Sequence, residues 1–260
     1  MGQLFNPKAN SIAKLSLIIG GSLPVLAILG GHLISNSSYN TKVDVPLDQP
    51  VPFSHRHHAW ELGIDCRYCH TSVEKSGFAG IPDTETCMTC HSQIWTNSPL
   101  LEPVRKSYET GLPIKWASGE SGWNLVNNVP EFVYFDHSIH IAKGISCNTC
   151  HGDVQNMHIT WKGQNFTMKW CLQCHTEPEK YLYVDKTRPD LTPREQVFNL
   201  YVKQQEDPKM KSLSKREIAL LTGTNERYRP SKEEIEDGKK LITERNIKVK
   251  QLQDCWTCHR

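Results

Sequence analysis

The sequence has no cysteine to spare for a disulfide, because all ten Cys fall into five C-x-x-C pairs. It also has little net charge, since 30 Lys and Arg against 28 Asp and Glu leave a formal charge of +2 at pH 7. It lacks the short apolar core and the A-x-A-like site of a cleaved signal peptide. These absences exclude a disulfide framework, and we expect no nucleic-acid partner.

Instead, a His directly follows the second Cys of every pair. The five motifs are CRYCH (Cys66, Cys69, His70), CMTCH (Cys87, Cys90, His91), CNTCH (Cys147, Cys150, His151), CLQCH (Cys171, Cys174, His175) and CWTCH (Cys255, Cys258, His259). This spacing is the attachment signature of a c-type haem, whose iron takes the His as its proximal ligand. Structural zinc also uses Cys pairs with His, but it does not require His after every second Cys. We therefore expect five covalently attached c-type haems.

One long apolar run lies near the N-terminus. Residues 12–34 contain a single Lys, Lys14, and a single His, His32, and as a helix they would be about 35 Å long, enough to cross a bilayer. Lys8 and Lys14 favour a cytoplasmic N-terminus. Because such haems are attached outside the bacterial cytoplasm, we expect a single-pass anchor in the bacterial inner membrane, with residues 1–11 cytoplasmic and the haem domain periplasmic.

The haem-bearing part contains an internal repeat. FSHRHH before the first motif and FDHSIH before the third both read F-x-H-x-x-H, and each is followed by Gly-Ile and two C-x-x-C-H motifs. After the transmembrane helix we therefore expect a mostly α and irregular multihaem fold built from two dihaem repeats and a C-terminal haem. Its parts would be a first dihaem module at 35–98, a connector with little regular structure at 99–130, a second module at 131–176, and a helical segment at 177–260 that ends in the fifth haem motif.

Low-spin haem iron needs a second, distal axial ligand, and the repeat selects four candidates. These distal candidates are His55, His58, His137 and His140. His57 has no counterpart, since Ile139 stands at the aligned position, and we expect it to be a solvated or supporting group. F-x-H-x-x-H resembles the small class III multihaem cytochromes, in which the first His serves the next haem and the second a later one. That resemblance implies the pairs His55–His70, His58–His91, His137–His151 and His140–His175.

The fifth haem needs a distal ligand from earlier in the sequence, because only Arg260 follows His259. Candidates are Met157, His158 and Met168. We favour Met157, with His158 or Met168 as the alternative. A Met ligand would raise the reduction potential of that haem relative to bis-His ligation.

The stretch at 176–254 contains neither Cys nor His. Three capping-box signatures in it predict helix starts, at Thr192 with Glu195, Ser214 with Glu217 and Ser231 with Glu234. We therefore expect helices here, with a charged surface.

The segments GIDCRYCHTSVEKSGFAG, FVYFDHSIHIAKGISCNTCHGDVQNM and TMKWCLQCH resemble the pentahaem cytochrome c component of alternative complex III, over most of residues 50–200. The resemblance implies a quinol-oxidising respiratory complex. Its other parts would be an iron–sulfur subunit related to molybdopterin oxidoreductases, polytopic quinol-binding subunits and a monohaem cytochrome c. This chain would not be an enzyme on its own. It would carry electrons from the iron–sulfur subunit to the monohaem cytochrome or a terminal oxidase.

Two other functions stay open. A self-contained, membrane-anchored quinol dehydrogenase of the tetrahaem or pentahaem type would take electrons directly from quinol, but the duplication and the long flanking match argue against it. A catalytic multihaem reductase would need an iron with an open axial site. No attachment motif ends in Lys, and enough distal ligands are present to close all five sites.

Overall fold

The structure is a computed structural model that describes residue 6, residues 8–224 and residues 227–259. The chain divides into two compact units, Met1–Val43 and Asp44–Arg260. Over the described ranges it forms helices and irregular segments, and its β pairing is limited to two isolated bridges, Pro46 with Trp161 and Lys115 with Ser121. The predicted mostly α and irregular fold class is confirmed.

The first unit contains helix α1, Ala9–Asn36, and the short helix α2, Ser38–Thr41. Helix α1 has 28 residues, its most apolar window has a mean hydropathy of 2.0, and none of its residues is buried. An exposed helix this apolar is suited to lipid rather than water, which makes α1 a candidate transmembrane helix. By length and composition alone, a signal sequence would meet the same description.

The second unit begins with the two copies of the repeat. The first copy has a π-helical turn, Arg56–Glu61, helix α3, Cys66–Cys69, and helix α4, Thr84–His91. A 3₁₀ turn, Pro99–Leu101, and helix α5, Glu102–Thr110, follow. The second copy has helices α6, His137–Ala142, α7, Cys147–His151, and α8, Met168–Thr176, with a 3₁₀ turn at Val154–Asn156. Four of the haem motifs therefore lie on short helices or at helix ends.

Helix α5 differs from our expectation that segment 99–130 has little regular structure. Pro103 stands in its first turn, and Gly111 ends it in the left-handed conformation, with a φ of 65°. The residues between those two contain no Gly or Pro, so nothing interrupts the helix. Val104 is 2% exposed and packs with Val51, which fixes α5 on the first module.

The C-terminal segment is helical, as predicted. After a 3₁₀ turn at Pro178–Lys180 it contains α9, Pro193–Glu206, α10, Lys215–Leu221, and α11, Lys232–Glu244, then a 3₁₀ turn at Gln251–Gln253 and α12, Cys255–Cys258. All three predicted capping boxes are confirmed, with both hydrogen bonds present in each. Tyr183, Leu200, Leu220 and Leu221 form a buried cluster in this segment.

Candidate functional site

In the first copy, Phe53 packs against both candidate distal His. Its ring centre lies 5.0 Å from that of His55, edge to face, and 4.4 Å from that of His58, stacked. His58 donates from Nδ1 to the Ser54 carbonyl at 2.9 Å, and Nδ1 of His55 lies 3.1 Å from the Thr160 hydroxyl. With Nδ1 engaged in each ring, Nε2 is left to bind a metal ion.

The second copy repeats this geometry. The ring centre of Phe135 lies 4.8 Å from that of His137, edge to face, and 4.5 Å from that of His140, stacked. His140 donates from Nδ1 to the Asp136 carbonyl at 2.6 Å, and His137 donates from Nδ1 to the Gly77 carbonyl at 2.7 Å. The duplication seen in the sequence therefore extends to the orientation of the imidazole rings.

Each candidate distal His faces the proximal His that the class III resemblance paired with it. The ring centres are 6.5 Å apart for His55–His70, 6.2 Å for His58–His91, 6.1 Å for His137–His151 and 6.2 Å for His140–His175. A transition-metal ion lies about 2 Å from an imidazole nitrogen, so two rings on opposite sides of one iron have their centres about 6 Å apart. The spacing of all four pairs fits axial ligation of haem iron by two His.

Backbone carbonyls orient most of the proximal rings. The Nδ1 donors and their acceptors are His70 to Gly80 at 2.7 Å, His91 to Ile94 at 3.1 Å, His175 to Leu252 at 3.1 Å and His259 to Phe132 at 3.2 Å. A hydrogen bond at Nδ1 fixes the tautomer and makes Nε2 a better ligand. The sequence does not reveal these acceptors, because a backbone carbonyl leaves no signal in residue type.

Two of the rings are strongly desolvated. Burial, followed by the nearby His70, lowers the pKa of His55 to about 4. Burial, followed by the nearby His137, likewise lowers the pKa of His151 to about 4. Both imidazoles are therefore neutral at pH 7, which is the form that binds a metal ion.

The fifth motif has a different setting. Phe132, Cys255, Trp256 and His259 line an open surface depression of about 440 Å³. The ring centre of Phe132 lies 5.7 Å from that of His259. The three candidate distal ligands for this site differ in burial, since Met157 is 0% exposed, Met168 is 63% exposed and His158 is also exposed.

His57, the histidine without a counterpart in the repeat, pairs with a carboxylate. Its Nδ1 lies 3.0 Å from a carboxylate oxygen of Glu61, and its ring stacks on Trp95 at 5.8 Å between centres. Both side chains are more than 40% exposed. His57 therefore sits beside the second haem motif as a solvated group.

Two models of protein families match this chain, each over a different region. The model of the cytochrome c7 and related cytochrome c family matches residues 133–211, and the model of the class III cytochrome c family matches residues 33–104. Each region contains one copy of the repeat. The multihaem cytochrome c subunit of a menaquinone reductase from Nitratidesulfovibrio vulgaris is 29% identical over 183 residues, which cover 60% of this chain and 81% of that protein. With its attachment motifs and facing His pairs, the chain is a multihaem cytochrome c.

Proposed function

We propose that this chain is the electron-transfer subunit of a respiratory quinol-oxidising complex, with five c-type haems acting as a wire. The observation that carries the proposal is the set of four facing His pairs, which would close both axial positions of four irons. Haem supplies an iron that takes up and gives away one electron at a time. A chain that closes the axial positions of its irons carries electrons rather than activating a small molecule.

The partners we propose are those of alternative complex III. An iron–sulfur subunit related to molybdopterin oxidoreductases would deliver electrons from polytopic quinol-binding subunits, and a monohaem cytochrome c or a terminal oxidase would accept them. The similarity to a cytochrome subunit of a menaquinone reductase supports a role for this chain as a subunit of a quinone-linked complex. It also favours a second candidate function, in which the same wire delivers electrons toward quinone.

For the fifth site, burial favours Met168 as the distal ligand over Met157, which the sequence alone favoured. An axial ligand has to present its sulfur to the iron, whereas Met157 is enclosed by protein on all sides. Met168 begins α8 and lies one turn before Cys171, on the same face of that helix. Helix α8 packs against the turn that precedes the fifth motif, since His175 donates to the Leu252 carbonyl at 3.1 Å.

We further propose that α1 anchors the chain in the bacterial inner membrane, with the haem domain in the periplasm. Helix α1 carries no Asp or Glu, and Lys8 and Lys14 stand near its start. The basic residues favour a cytoplasmic N-terminus.

The test is spectroscopy of the full chain extracted from membranes after oxidation. A haem assay should give five c-type haems per chain, and near-infrared magnetic circular dichroism should give four bis-His haems and one His/Met haem. A high-spin haem, or carbon monoxide binding to the reduced protein, would overturn the wire and support a catalytic reductase. Quinol oxidation by the isolated chain would support a self-contained quinol dehydrogenase instead.

A further inference from the structure

The first and second attachment motifs contact each other directly. The hydroxyl of Tyr68, inside the first motif, lies 2.7 Å from the hydroxyl of Thr89, inside the second. The first two motifs are therefore neighbours.

The first motif also has a neighbour in the second copy of the repeat. The loop after the first motif holds His137, whose Nδ1 donates to the Gly77 carbonyl at 2.7 Å. The loop after the third motif holds His55, whose Nδ1 lies 3.1 Å from the Thr160 hydroxyl. These two contacts bring the first and third haem sites together.

Helix α9 links the same two motifs. Its Phe198 belongs to a buried cluster with Val73, and the partly buried Cys66 of the first motif packs against that cluster. Tyr201, one turn later, donates to the side-chain oxygen of Asn148, inside the third motif, at 3.0 Å. One helix face therefore spans the junction between the first and third sites.

The third motif leads on to the fourth through two aromatic rings. The ring centre of Phe166 lies 6.4 Å from that of His151 and 5.4 Å from that of Trp170, edge to face in both cases. Trp170 directly precedes Cys171 of the fourth motif. The third and fourth sites are therefore neighbours.

The fourth motif leads on to the fifth. His175 donates to the Leu252 carbonyl, shortly before the fifth motif, at 3.1 Å. The Tyr134 amide donates to the Cys258 carbonyl at 2.8 Å, and the adjacent Phe135 stacks on His140, the candidate distal ligand of the fourth site.

We propose that the five haem sites follow one another in space in the order second, first, third, fourth, fifth. The order rests on the proposed function, because only a haem-loaded chain has a wire to order. The second and fifth sites are then its ends, where electrons enter and leave, and the first site lies inside it. Among the ten Cys, the two that are exposed are Cys90 and Cys255, which belong to these two end motifs.

The order can be tested by changing the distal ligand of one haem at a time, which marks that haem by its reduction potential. In the full holoprotein, His58→Met should mark the second haem and His55→Met, the matched control in the same copy, should mark the first. A Met ligand raises the potential of the marked haem, so that haem is reduced before the remaining bis-His haems. Reduction of a haem shifts the reduction potentials of its neighbours. Nuclear magnetic resonance of the haem methyl groups during a redox titration counts the haems whose potentials shift.

The expected count is one strongly shifted neighbour for His58→Met and two for His55→Met. The reverse count would overturn our order in favour of the sequence order, in which the first site is an end and the second is internal. Equal counts would also overturn it. If either variant fails to fold, methyl cross-peaks in the unmodified protein decide, since our order expects them between the first and third haems and not between the second and third. Failure of the proposed function would show earlier and separately, as fewer than five haems or a high-spin haem in the unmodified protein.

Discussion

Gly223→Ala should disturb the third haem site through the backbone. A Cβ at Gly223 would lie 2.6 Å from the Cα of Gly152 and 3.1 Å from the carbonyl oxygen of Asn148. Both of these atoms belong to the backbone of the third motif or of the residue that follows it. Gly223 also has a φ of 67°, which an L side chain rarely adopts. The substitution therefore carries two separate costs.

The left-handed φ alone costs Ala about 1 kcal/mol. Backbone atoms cannot rotate aside as a flexible side chain can, so relieving the overlap should add about 1–3 kcal/mol. Gly111→Ala is the matched control, because Gly111 also follows a helix with a φ of 65° but has no atom within 4 Å of the added Cβ. It should cost about 1 kcal/mol, the conformational part alone.

The assay is denaturant unfolding of the full holoprotein, followed by far-ultraviolet circular dichroism, together with electron paramagnetic resonance of the haems. Gly223→Ala should lose roughly 1–3 kcal/mol more than Gly111→Ala. It should also change the signal of the third haem. In the unmodified protein the ring of His151 lies within 3° of parallel to that of His137, and the displaced backbone of the variant would tilt it. Equal losses in the two variants, or an unchanged signal for the third haem, would refute the reasoning.

Three further predictions concern the helical segment and the fifth site. Lys203→Met should lower the free energy of unfolding by about 3 kcal/mol. The Lys203 amine lies 2.6 Å from Asp185 and 2.8 Å from Glu217, so its removal would leave two poorly exposed carboxylates without their cation. A loss within the error of a denaturant titration would contradict this. Burial raises the pKa of Asp185 and Glu217. The hydrogen bonds and charge of Lys203, together with hydrogen bonds from Thr187 to Asp185 and from Ser214 to Glu217, outweigh burial, so the net pKa of both carboxylates is lowered. Their stabilisation is therefore complete at neutral pH and lost as the pH falls below about 4, and Lys203→Met should flatten this acid dependence in unfolding curves measured at several pH values. Met168→Leu should abolish the His/Met signal in magnetic circular dichroism while Met157→Leu preserves it, and the opposite outcome would restore Met157 as the ligand.

The repeat selected the four candidate distal His, and the class III resemblance implied their pairing. F-x-H-x-x-H places two imidazoles on one helical turn, and its second copy distinguishes positions that matter from chance occurrences such as His57. The four pairs inferred from the class III resemblance are the four that face each other in the structure. The fifth site has no second copy, so the sequence could rank its candidate ligands only by residue type.

Other features depended on information that the sequence pattern does not hold. Helix α5 was missed because the composition of the whole segment 99–130 hid a run without helix breakers between Pro103 and Gly111. The proposed spatial order of the haem sites rests on contacts such as that of His55 with Thr160, between residues far apart in the chain. No local pattern predicts which loops meet.

The contacts that join the two copies are reciprocal. His55 of the first copy touches the loop after the third motif, and His137 of the second copy touches the loop after the first motif. Equivalent patches that contact each other in this way define the isologous interface of a two-fold symmetric dimer. In the haem order proposed above, the leading motifs of the two copies lie at this joint and the trailing motifs lie away from it. In that order the fifth motif extends the second copy alone, so the two ends of the proposed wire differ chemically.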